Sequence, residues 1–167
     1  MEERSIREKA SLIRMLILDV DGTMTDGGVY IDTNGIQSKK FNIKDGMGIT
    51  QLIEKGIDVA IISHSRSQTI LDERARMLGI KYVYSGKESK LKVMHRWILD
   101  MKLSQDQIAY MGDDVNDIEI MQEVGLSACP ADAHSSVVRI ADVVLQKKGG
   151  EGCVREFIDR YLLADNA

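Results

Sequence analysis

The sequence has little of what disulfide-rich proteins, zinc proteins or membrane proteins are built from. Its 167 residues include one proline and two cysteines. Because Cys129 and Cys153 form no Cys-x-x-Cys spacing, we expect reduced thiols rather than a disulfide or a zinc site. No apolar run approaches the roughly 20 residues that a membrane helix needs. The segment 1–14 lacks the continuous apolar stretch of a signal peptide and predicts an amphipathic helix. We therefore expect a cytoplasmic protein with no membrane contact.

The charge balance is weakly acidic, with 22 basic and 26 acidic side chains and a net charge of −4. A nucleic-acid-binding protein normally has a basic face, so this composition excludes nucleic acid as an expected partner. An anionic substrate would have to be bound locally, by a metal ion and a few cations. The length suits one domain over residues 1–167, with a single core.

The chain repeats one type of segment, in which a short apolar run is followed by a turn and a helix-period stretch. The apolar runs are 15–20, 57–63, 81–84, 107–111, 126–128 and 143–145. The helical stretches are 46–55, 68–78, 89–101, 117–124, 135–140 and 154–163. Apolar runs with few polar residues are typical of strands buried on both faces. The pattern predicts an α/β fold, a Rossmann-like, doubly wound and mostly parallel sheet with helices on both faces.

One segment departs from this alternation. Residues 29–41 indicate two short strands around Asn34-Gly35, a strong hairpin signal, within an insertion at about 28–41. The hairpin follows the first strand directly. Since ligands of open α/β sheets bind beyond the carboxyl ends of the strands, we expect the hairpin to flank a site there.

The strongest chemical signal is LILDVDGTMTDG, residues 16–27, which places Asp19 and Asp21 at the end of a buried strand. Unpaired negative charge is costly there, and a hard cation such as Mg²⁺ would offset that cost. The metal would also let an anionic phosphate approach an aspartate nucleophile. Gly22 permits a tight turn whose N–H groups can face phosphate oxygens.

Three further signals follow later strands. The loop GDDVND supplies Asp113, Asp114 and Asp117, which suit the other side of a cation. Ser63 ends the second strand, where its hydroxyl can donate to a phosphate oxygen. Lys90 begins a predicted helix and can neutralise both the nucleophile and the phosphate. A serine or a lysine alone would carry little weight, because helix caps and exposed faces are rich in them.

Together and in this order, the four signals resemble the haloacid dehalogenase superfamily of phosphohydrolases, over about residues 13–157. The resemblance implies that Asp19 is the nucleophile and Asp21 the general acid and base. It implies Mg²⁺ as cofactor, held by Asp19, the backbone carbonyl of Asp21 and the side chain of Asp113. It implies supporting roles, toward the phosphate, the nucleophile or the metal, for Ser63, Lys90, Asp114 and Asp117.

The gaps between the motifs hold no cap domain, and residues 26–28, 41–48 and 148–156 look like the capless 3-deoxy-octulosonate 8-phosphate phosphatases. That resemblance implies a sugar-acid phosphate as substrate. It also implies a homotetramer in which the hairpins associate and a neighbouring subunit helps to close each site. The substrate-binding residues that we expect are Gly22, Thr25, Asp45, Gly46, Arg66 and Arg74.

The sequence departs from the family at two places. The run Ser63-His64-Ser65-Arg66 is one residue longer than usual and lacks a glycine, although Arg66 would suit a sugar carboxylate. Glu151 stands where the octulosonate enzymes commonly have arginine. Nonulosonate 9-phosphate phosphatases share this scaffold and differ in the same regions, so the nine-carbon substrate is the alternative within the family.

Two alternatives belong to other classes. A signalling receiver domain also combines a doubly wound sheet with an acidic metal site, but it carries its phospho-acceptor on the third strand, which here ends in Ser85-Gly86. A non-catalytic phosphatase-like module of a sugar-nucleotide synthetase would tend to lose catalytic carboxylates. This chain keeps the five motif carboxylates Asp19, Asp21, Asp113, Asp114 and Asp117, so an enzyme is favoured over such a module.

Overall fold

Six strands form one parallel sheet, and a separate hairpin leaves its carboxyl edge. The computed structural model describes the backbone of residues 2–164 and the side chains of residues 5–164. The strands are β1 (Met15–Leu18), β2 (Tyr30–Ile31), β3 (Gln37–Ser38), β4 (Asp58–Ser63), β5 (Tyr82–Ser85), β6 (Ile108–Met111), β7 (Leu126–Cys129) and β8 (Val143–Val144). The sheet order is β5-β4-β1-β6-β7-β8. β1 therefore lies near the centre, hydrogen-bonded in parallel to β4 and β6.

Helices cover both faces of the sheet. They are α1 (Glu2–Leu12), α2 (Ile43–Glu54), α3 (Gln68–Leu78), α4 (Lys90–Met101), α5 (Ile118–Met121), α6 (Ser135–Val138) and α7 (Cys153–Phe157). Short π-helical turns at Val20–Met24 and Ile158–Leu162 and 3₁₀ turns at Gln105–Gln107 and Val115–Asp117 complete the regular structure. No cap domain lies between these elements within residues 2–164.

Alternation along β1 divides the core into two layers. Leu16 and Leu18 face the layer covered by α1, α2, α3 and α7. Met15 and Ile17 face the layer covered by α4, α5 and α6. All four side chains are fully buried, and each such burial contributes about 1.5–3 kcal/mol relative to exposure. The strand that carries the first acidic motif is thus anchored from both sides.

Side-chain caps fix where two site-forming helices begin. The carboxamide oxygen of Asn42 accepts a hydrogen bond from Lys44 N (2.8 Å) and starts α2. The hydroxyl of Ser89 accepts one from Lys92 N (3.5 Å) and starts α4. Because Ser89 is the cap, Lys90 is the first helical residue and lies at the carboxyl edge of the sheet.

The hairpin is short and largely exposed. The carboxylate of Asp32 accepts hydrogen bonds from Asn34 N (2.8 Å) and Ile36 N (2.9 Å), which closes the turn between β2 and β3. The hydroxyl of Ser67 donates to Gln37 Oε1 (2.9 Å), so the hairpin is attached to the loop after β4. Isolated two-stranded hairpins are marginally stable in water, and this attachment holds the hairpin over the site.

The fold class and the hairpin predicted from the sequence are confirmed, and the differences lie at element ends. β1 ends at Leu18 rather than at residue 20. The chain leaves the strand there because residues 20–24 form the π turn, closed by a hydrogen bond from Thr25 N to Val20 O (3.0 Å). The predicted helix 154–163 is α7 followed by the second π turn. Met1, part of the predicted first helix, lies outside the described residues.

Two other expectations concern absences. Cys129 and Cys153 are both buried free thiols. Among the described residues, no helix is both long enough and apolar enough to cross a membrane.

Candidate active site

The parallel sheet brings three strand-end loops to one edge. The backbone N–H of Asp19 donates to Met111 O (2.9 Å), which ties the end of β1 to the end of β6. Ser63 closes β4 on the other side of β1. Asp19 is 6% exposed and Ser63 is 1% exposed. The two side chains predicted to act on a phosphate therefore lie at the bottom of one depression.

Lys90 is the cation at the centre of this edge. Its Nζ lies 2.6 Å from Asp19 Oδ1 and 2.5 Å from Asp117 Oδ1, and its side chain is 1% exposed. Burial alone would lower the pKa of Lys90, but Asp19 and Asp117 outweigh it and raise the pKa above its usual value. The ammonium therefore remains charged and holds Asp19 in one orientation.

Asp117 is a support whose oxygens are fully engaged. Besides Lys90, its Oδ1 accepts from the hydroxyl of Tyr110 (2.6 Å). Its Oδ2 accepts from the backbone N–H groups of Asp113 (2.9 Å) and Asp114 (3.1 Å). This carboxylate fixes the loop after β6 and has little capacity left for a direct ligand role.

Asp19, Asp113 and Asp117 form an acidic trio whose carboxylate oxygens lie within 4.8 Å of one another. Burial raises the pKa of Asp19 well above its ordinary value, against the opposing effect of Lys90. Burial and the neighbouring Asp117 raise the pKa of Asp113 to about 6. Crowded, partly dehydrated carboxylates favour either a proton or a hard cation, so Asp19 and Asp113 fit Mg²⁺ by their chemistry, with Asp117 as the support beside them.

The turn after β1 is shaped to admit Asp113. Gly22 has φ +92°, and a Cβ there would lie 2.1 Å from Asp113 Oδ2. The hydroxyl of Thr23 donates to the other oxygen of Asp113 (3.1 Å). Any side chain at position 22 would therefore displace the acid that completes the trio.

The C-terminal glycine loop packs on the same turn. A Cβ at Gly149 would lie 1.8 Å from Gly22 O. The backbone N–H of Gly150 donates to Thr23 O (3.1 Å). Gly149 and Gly150 are thus required by backbone-to-backbone contact with residues 22–26.

Asp21 lies at the rim and is paired with a hairpin lysine. Its side chain is 36% exposed, and Lys39 Nζ donates to its Oδ1. The side chain of Lys39 is only 2% exposed. The hairpin segment therefore contributes a buried cation to the rim of the site.

The depression is a cleft of about 280 Å³. It is lined by Asp19, Asp21, Ser63, His64, Ser65, Asp114 and Asn116. Ser63 Oγ accepts from Ser65 N (3.0 Å), and Asp114 caps the following 3₁₀ turn through Val115 N (2.7 Å). Acids thus line one wall of the cleft, and polar groups from the loops after β4 and β6 line its mouth.

Four of the predicted substrate-binding residues pack against other parts of the protein instead of lining this cleft. Thr25 is fully buried, and its hydroxyl donates to Val20 O (3.3 Å) and accepts from Gly27 N (3.2 Å), so it shapes the turn. Asp45 is also buried, and it accepts from Arg155 N (2.8 Å), which ties α2 to α7. Their positions correct the expectation of substrate contact within one chain.

The other two are Gly46 and Arg74, which pack against each other between α2 and α3. A Cβ at Gly46 would lie 2.7 Å from Arg74 Nη2. Arg74 donates to Asn42 O (3.1 Å), and its guanidinium lies 5.2 Å from the ring centre of Phe41. Neither residue lines the acidic cleft, and the half-buried Arg74 lines a separate groove with Lys39 and Phe41, so a packing role replaces the expected contact with substrate there.

The two departures from the family pattern lie at the surface. Arg66 is exposed and lines a second groove beside the hairpin, with Gln37 and Ile36, rather than the acidic cleft. Glu151 is exposed and lines a third depression that also contains Lys40 and Lys147. Neither side chain contacts the acids of the cleft in a single chain.

Sequence reasoning missed two partners of the site, Lys39 and Tyr110. The hairpin was expected at the site, so a lysine near its end was the available signal for Lys39. Tyr110 is a strand residue next to Met111, and nothing in an apolar run marks one aromatic hydroxyl as the partner of an acid.

The family model of haloacid dehalogenase-like hydrolases matches residues 77–158. The 3-deoxy-D-manno-octulosonate 8-phosphate phosphatase KdsC of Yersinia pestis is 44% identical over 95% of this chain and 84% of that protein. KdsC of Escherichia coli strain K12 is 42% identical over 93% of this chain and 82% of that protein. The chain belongs to the haloacid dehalogenase-like hydrolases.

Solved structures of such hydrolases share the whole fold. The phosphatase from Y. pestis superposes with a TM-score of 0.90 at 43% identity, over 93% of this chain and 83% of that one. The phosphatase from Moraxella catarrhalis, in complex with magnesium, phosphate and 3-deoxy-D-manno-octulosonate (KDO), superposes with a TM-score of 0.89 at 31% identity, over 93% and 88%. The present hydrolase therefore has the capless phosphatase architecture that the motifs indicated.

Proposed function

We propose that this hydrolase is a Mg²⁺-dependent phosphatase of 3-deoxy-D-manno-octulosonate 8-phosphate. The observation that carries the proposal is the setting of Asp19, buried at the end of β1, 2.6 Å from the ammonium of Lys90 and within the acidic trio. A carboxylate held and oriented in this way is equipped to attack a phosphate. The identity to the KdsC phosphatases over most of the chain supports the substrate.

The residues present fit the metal that this chemistry requires. Burial raises the pKa values of Asp19, against the effect of Lys90, and of Asp113, and the carboxylate oxygens of both are the ligands Mg²⁺ prefers. We propose that Asp19, Asp113 and the backbone carbonyl of Asp21 hold the ion. When bound, Mg²⁺ would offset the repulsion between the anionic nucleophile and an anionic phosphate.

The proposed chemistry assigns two steps to two carboxylates. Asp19 Oδ attacks phosphorus and forms an aspartyl phosphate, while Asp21 gives its proton to the departing sugar oxygen. Asp21 then takes a proton from the water that attacks the same phosphorus, and Asp19 leaves as the free carboxylate. Ser63 donates to a phosphate oxygen, as do the N–H groups of the turn at Gly22, and Lys90 keeps Asp19 in position.

The quaternary structure and location form a second part of the proposal. The apolar side chains of Tyr30, Ile31 and Ile36 on the hairpin are 70%, 65% and 63% exposed. An exposed apolar patch of this kind favours an interface, and we propose a cytoplasmic homotetramer in which hairpins associate. Residues 1–167 would form one domain per subunit. In the proposed assembly, the exposed Arg66 beside the hairpin contributes to a neighbouring site.

The test is phosphate release, with Mg²⁺, from 3-deoxy-D-manno-octulosonate 8-phosphate and from nonulosonate 9-phosphates. We expect turnover of the octulosonate, lowered at least about 10⁴-fold in Asp19→Asn, because the amide cannot act as the nucleophile. The matched control is Asp26→Asn, an exposed acid of the same turn that pairs with Lys40. Preferential turnover of the nine-carbon substrate would replace the proposed substrate with the alternative.

The same assay separates an enzyme from a non-catalytic module. A folded, Mg²⁺-loaded protein that releases no phosphate from any sugar phosphate would contradict the proposal. Near-native activity of Asp19→Asn would contradict the assignment of the nucleophile.

A further inference from the structure

The imidazole of His64 joins the three loops that surround the cleft. It lies on the loop after β4, where it lines the mouth of the cleft. Its Nε2 is 3.0 Å from Glu88 O, on the loop after β5. Its Nδ1 is 3.3 Å from Asn116 Nδ2, on the 3₁₀ turn after β6. One side chain therefore adds a contact to both neighbouring loops, and the loops after β4 and β5 are also joined by a hydrogen bond from Gly86 N to Ser63 O (3.0 Å).

The chemistry of these partners fixes the form of the ring. A backbone carbonyl only accepts, so Nε2 carries the hydrogen and donates to Glu88 O. Nδ1 then offers a lone pair, which accepts from the amide nitrogen of Asn116. In this arrangement Nε2 donates and Nδ1 accepts, so both nitrogens are engaged, and His64 itself has no free polar group for a substrate.

Asn116, by contrast, is left with a free acceptor. Its amide nitrogen is turned to His64, and Asn116 also lines the cleft, so its carbonyl oxygen is the group available to a ligand. Its neighbour Asp114 accepts a hydrogen bond from Val115 N (2.7 Å) with one oxygen, Oδ1, which caps the 3₁₀ turn. With the phosphate at Asp19, the sugar must extend toward the mouth, where a hydroxyl donor would meet this oxygen.

We propose that His64 is a positioning residue that orients Asn116, and that Asn116 Oδ1 accepts a hydrogen bond from a sugar hydroxyl of the substrate. This inference rests on the proposed function. His64 stands in the loop after β4 that is one residue longer than the family pattern, between Ser63 of the cleft and the exposed Arg66.

The first test is a comparison of two substrates. p-Nitrophenyl phosphate has the phosphate but no sugar hydroxyl, so the informative quantity is the ratio of kcat/KM for the octulosonate to kcat/KM for p-nitrophenyl phosphate. We expect this ratio to fall about tenfold in His64→Ala and in Asn116→Ala, because each variant loses one hydrogen bond to the sugar and a bond of this kind typically changes kcat/KM by that factor. The matched control is His95→Ala, an exposed histidine on α4 whose ring is 3.4 Å from Gln105 Nε2.

Two further variants separate positioning from general damage. His64→Asn places a carbonyl oxygen near the position of Nδ1, so it should recover most of the ratio. The double variant His64→Ala with Asn116→Ala should be no worse than either single variant, because both remove the same interaction. Equal losses on both substrates, an unchanged ratio, or additive losses in the double variant would each overturn the inference.

A measurement without turnover keeps this inference separable from the proposed function. Imidazole ¹⁵N shifts of the full chain, recorded at about pH 8 where a free histidine is neutral, report the tautomer. We expect the Nε2–H form for His64, with a shift of Nδ1 in Asn116→Ala. An Nδ1–H tautomer would overturn the bridge even if the octulosonate is hydrolysed. If the wild type instead prefers another sugar phosphate, the ratio is measured with that substrate, and only the proposed substrate fails.

Discussion

Asp113 and Asp45 are buried carboxyl groups in different parts of the protein, and both have raised pKa values. Burial raises the pKa of each from 3.8 to about 6. Asp113 belongs to the acidic trio, whereas Asp45 lies between α2 and α7, where its Oδ2 has no hydrogen-bond partner. The folded protein therefore keeps two protons that the unfolded chain releases at lower pH.

This difference determines how stability depends on pH. A pKa that is higher in the folded state means that the folded state binds more protons between pH 3.8 and about 6. The metal-free protein should therefore lose stability as pH rises through that window, by on the order of 1–3 kcal/mol per group. Urea denaturation in a chelator across this range measures the loss.

Two variants assign the loss to its sources. Asp113→Asn and Asp45→Asn should each flatten the fall of stability with pH, because an amide does not titrate. Only Asp113→Asn should also abolish the stabilisation that added Mg²⁺ produces at neutral pH. If Asp45→Asn removes the Mg²⁺ effect equally, the acidic trio is not the metal site.

At this scale the sequence predicted the acidic centre well. Asp19, Ser63, Lys90 and Asp113 each follow a strand or begin a helix at the same sheet edge, and a parallel sheet brings such positions together. Thr25 could not be placed in the same way. Its hydroxyl lies inside the turn because of local backbone geometry, which the residue type alone does not specify.

Among the elements, the hairpin has the least regular structure, yet a lysine at its end pairs with Asp21, the proposed general acid and base. Its neighbouring lysines pair with two acids of one turn, Lys39 with Asp21 and Lys40 with Asp26 (3.1 Å). Their side chains are 2% and 64% exposed. A buried charge pair is broken at greater cost than an exposed one.

We therefore expect unequal effects from identical substitutions. Lys39→Met should lower kcat/KM for the sugar phosphate roughly 10- to 100-fold, because it removes the cation that holds Asp21. Lys40→Met should remain within about twofold of the wild type, as is usual for an exposed pair. Steady-state kinetics of both variants provides the measurement, and equal effects would show that Lys39 has no special role.

The sequence could not have distinguished these two lysines. Successive strand residues face opposite sides, so a shift of one residue in the hairpin would exchange their positions. The strand β3 is only two residues long, and its register is set by the Asp32 turn and by the contact between Gln37 and Ser67. Such contacts between distant segments are not visible in a local pattern.

At the scale of the whole molecule, the proposed assembly depends on the same hairpin. The triple variant Tyr30→Ser, Ile31→Ser, Ile36→Ser removes the exposed apolar surface of the hairpin. We expect it to shift the molecular mass measured by light scattering from tetramer to monomer, with unchanged helical circular dichroism. Leu99→Ser, a change at another apolar side chain that is 78% exposed, serves as the control. A wild-type monomer would contradict the proposed tetramer.

The overall architecture was the most predictable property of the chain. Runs such as 57–63 and 107–111 have few polar residues, and buried parallel strands require this. The loops that complete the site were less predictable. The segment around Gly149 contacts Gly22 O across more than a hundred residues of sequence, and only the folded structure brings them together.

The central position of β1 affects how the protein unfolds as well as where its site lies. A strand paired on both sides and buried on both faces is expected to exchange its amide hydrogens through global opening alone. The β2–β3 hairpin and the loop that carries His64 should exchange by local fluctuations at far lower free energy. On warming, the loop that binds the sugar should therefore open before the end of β1 that carries Asp19. Discrimination between substrates should then decline at a lower temperature than the hydrolysis of phosphate esters itself.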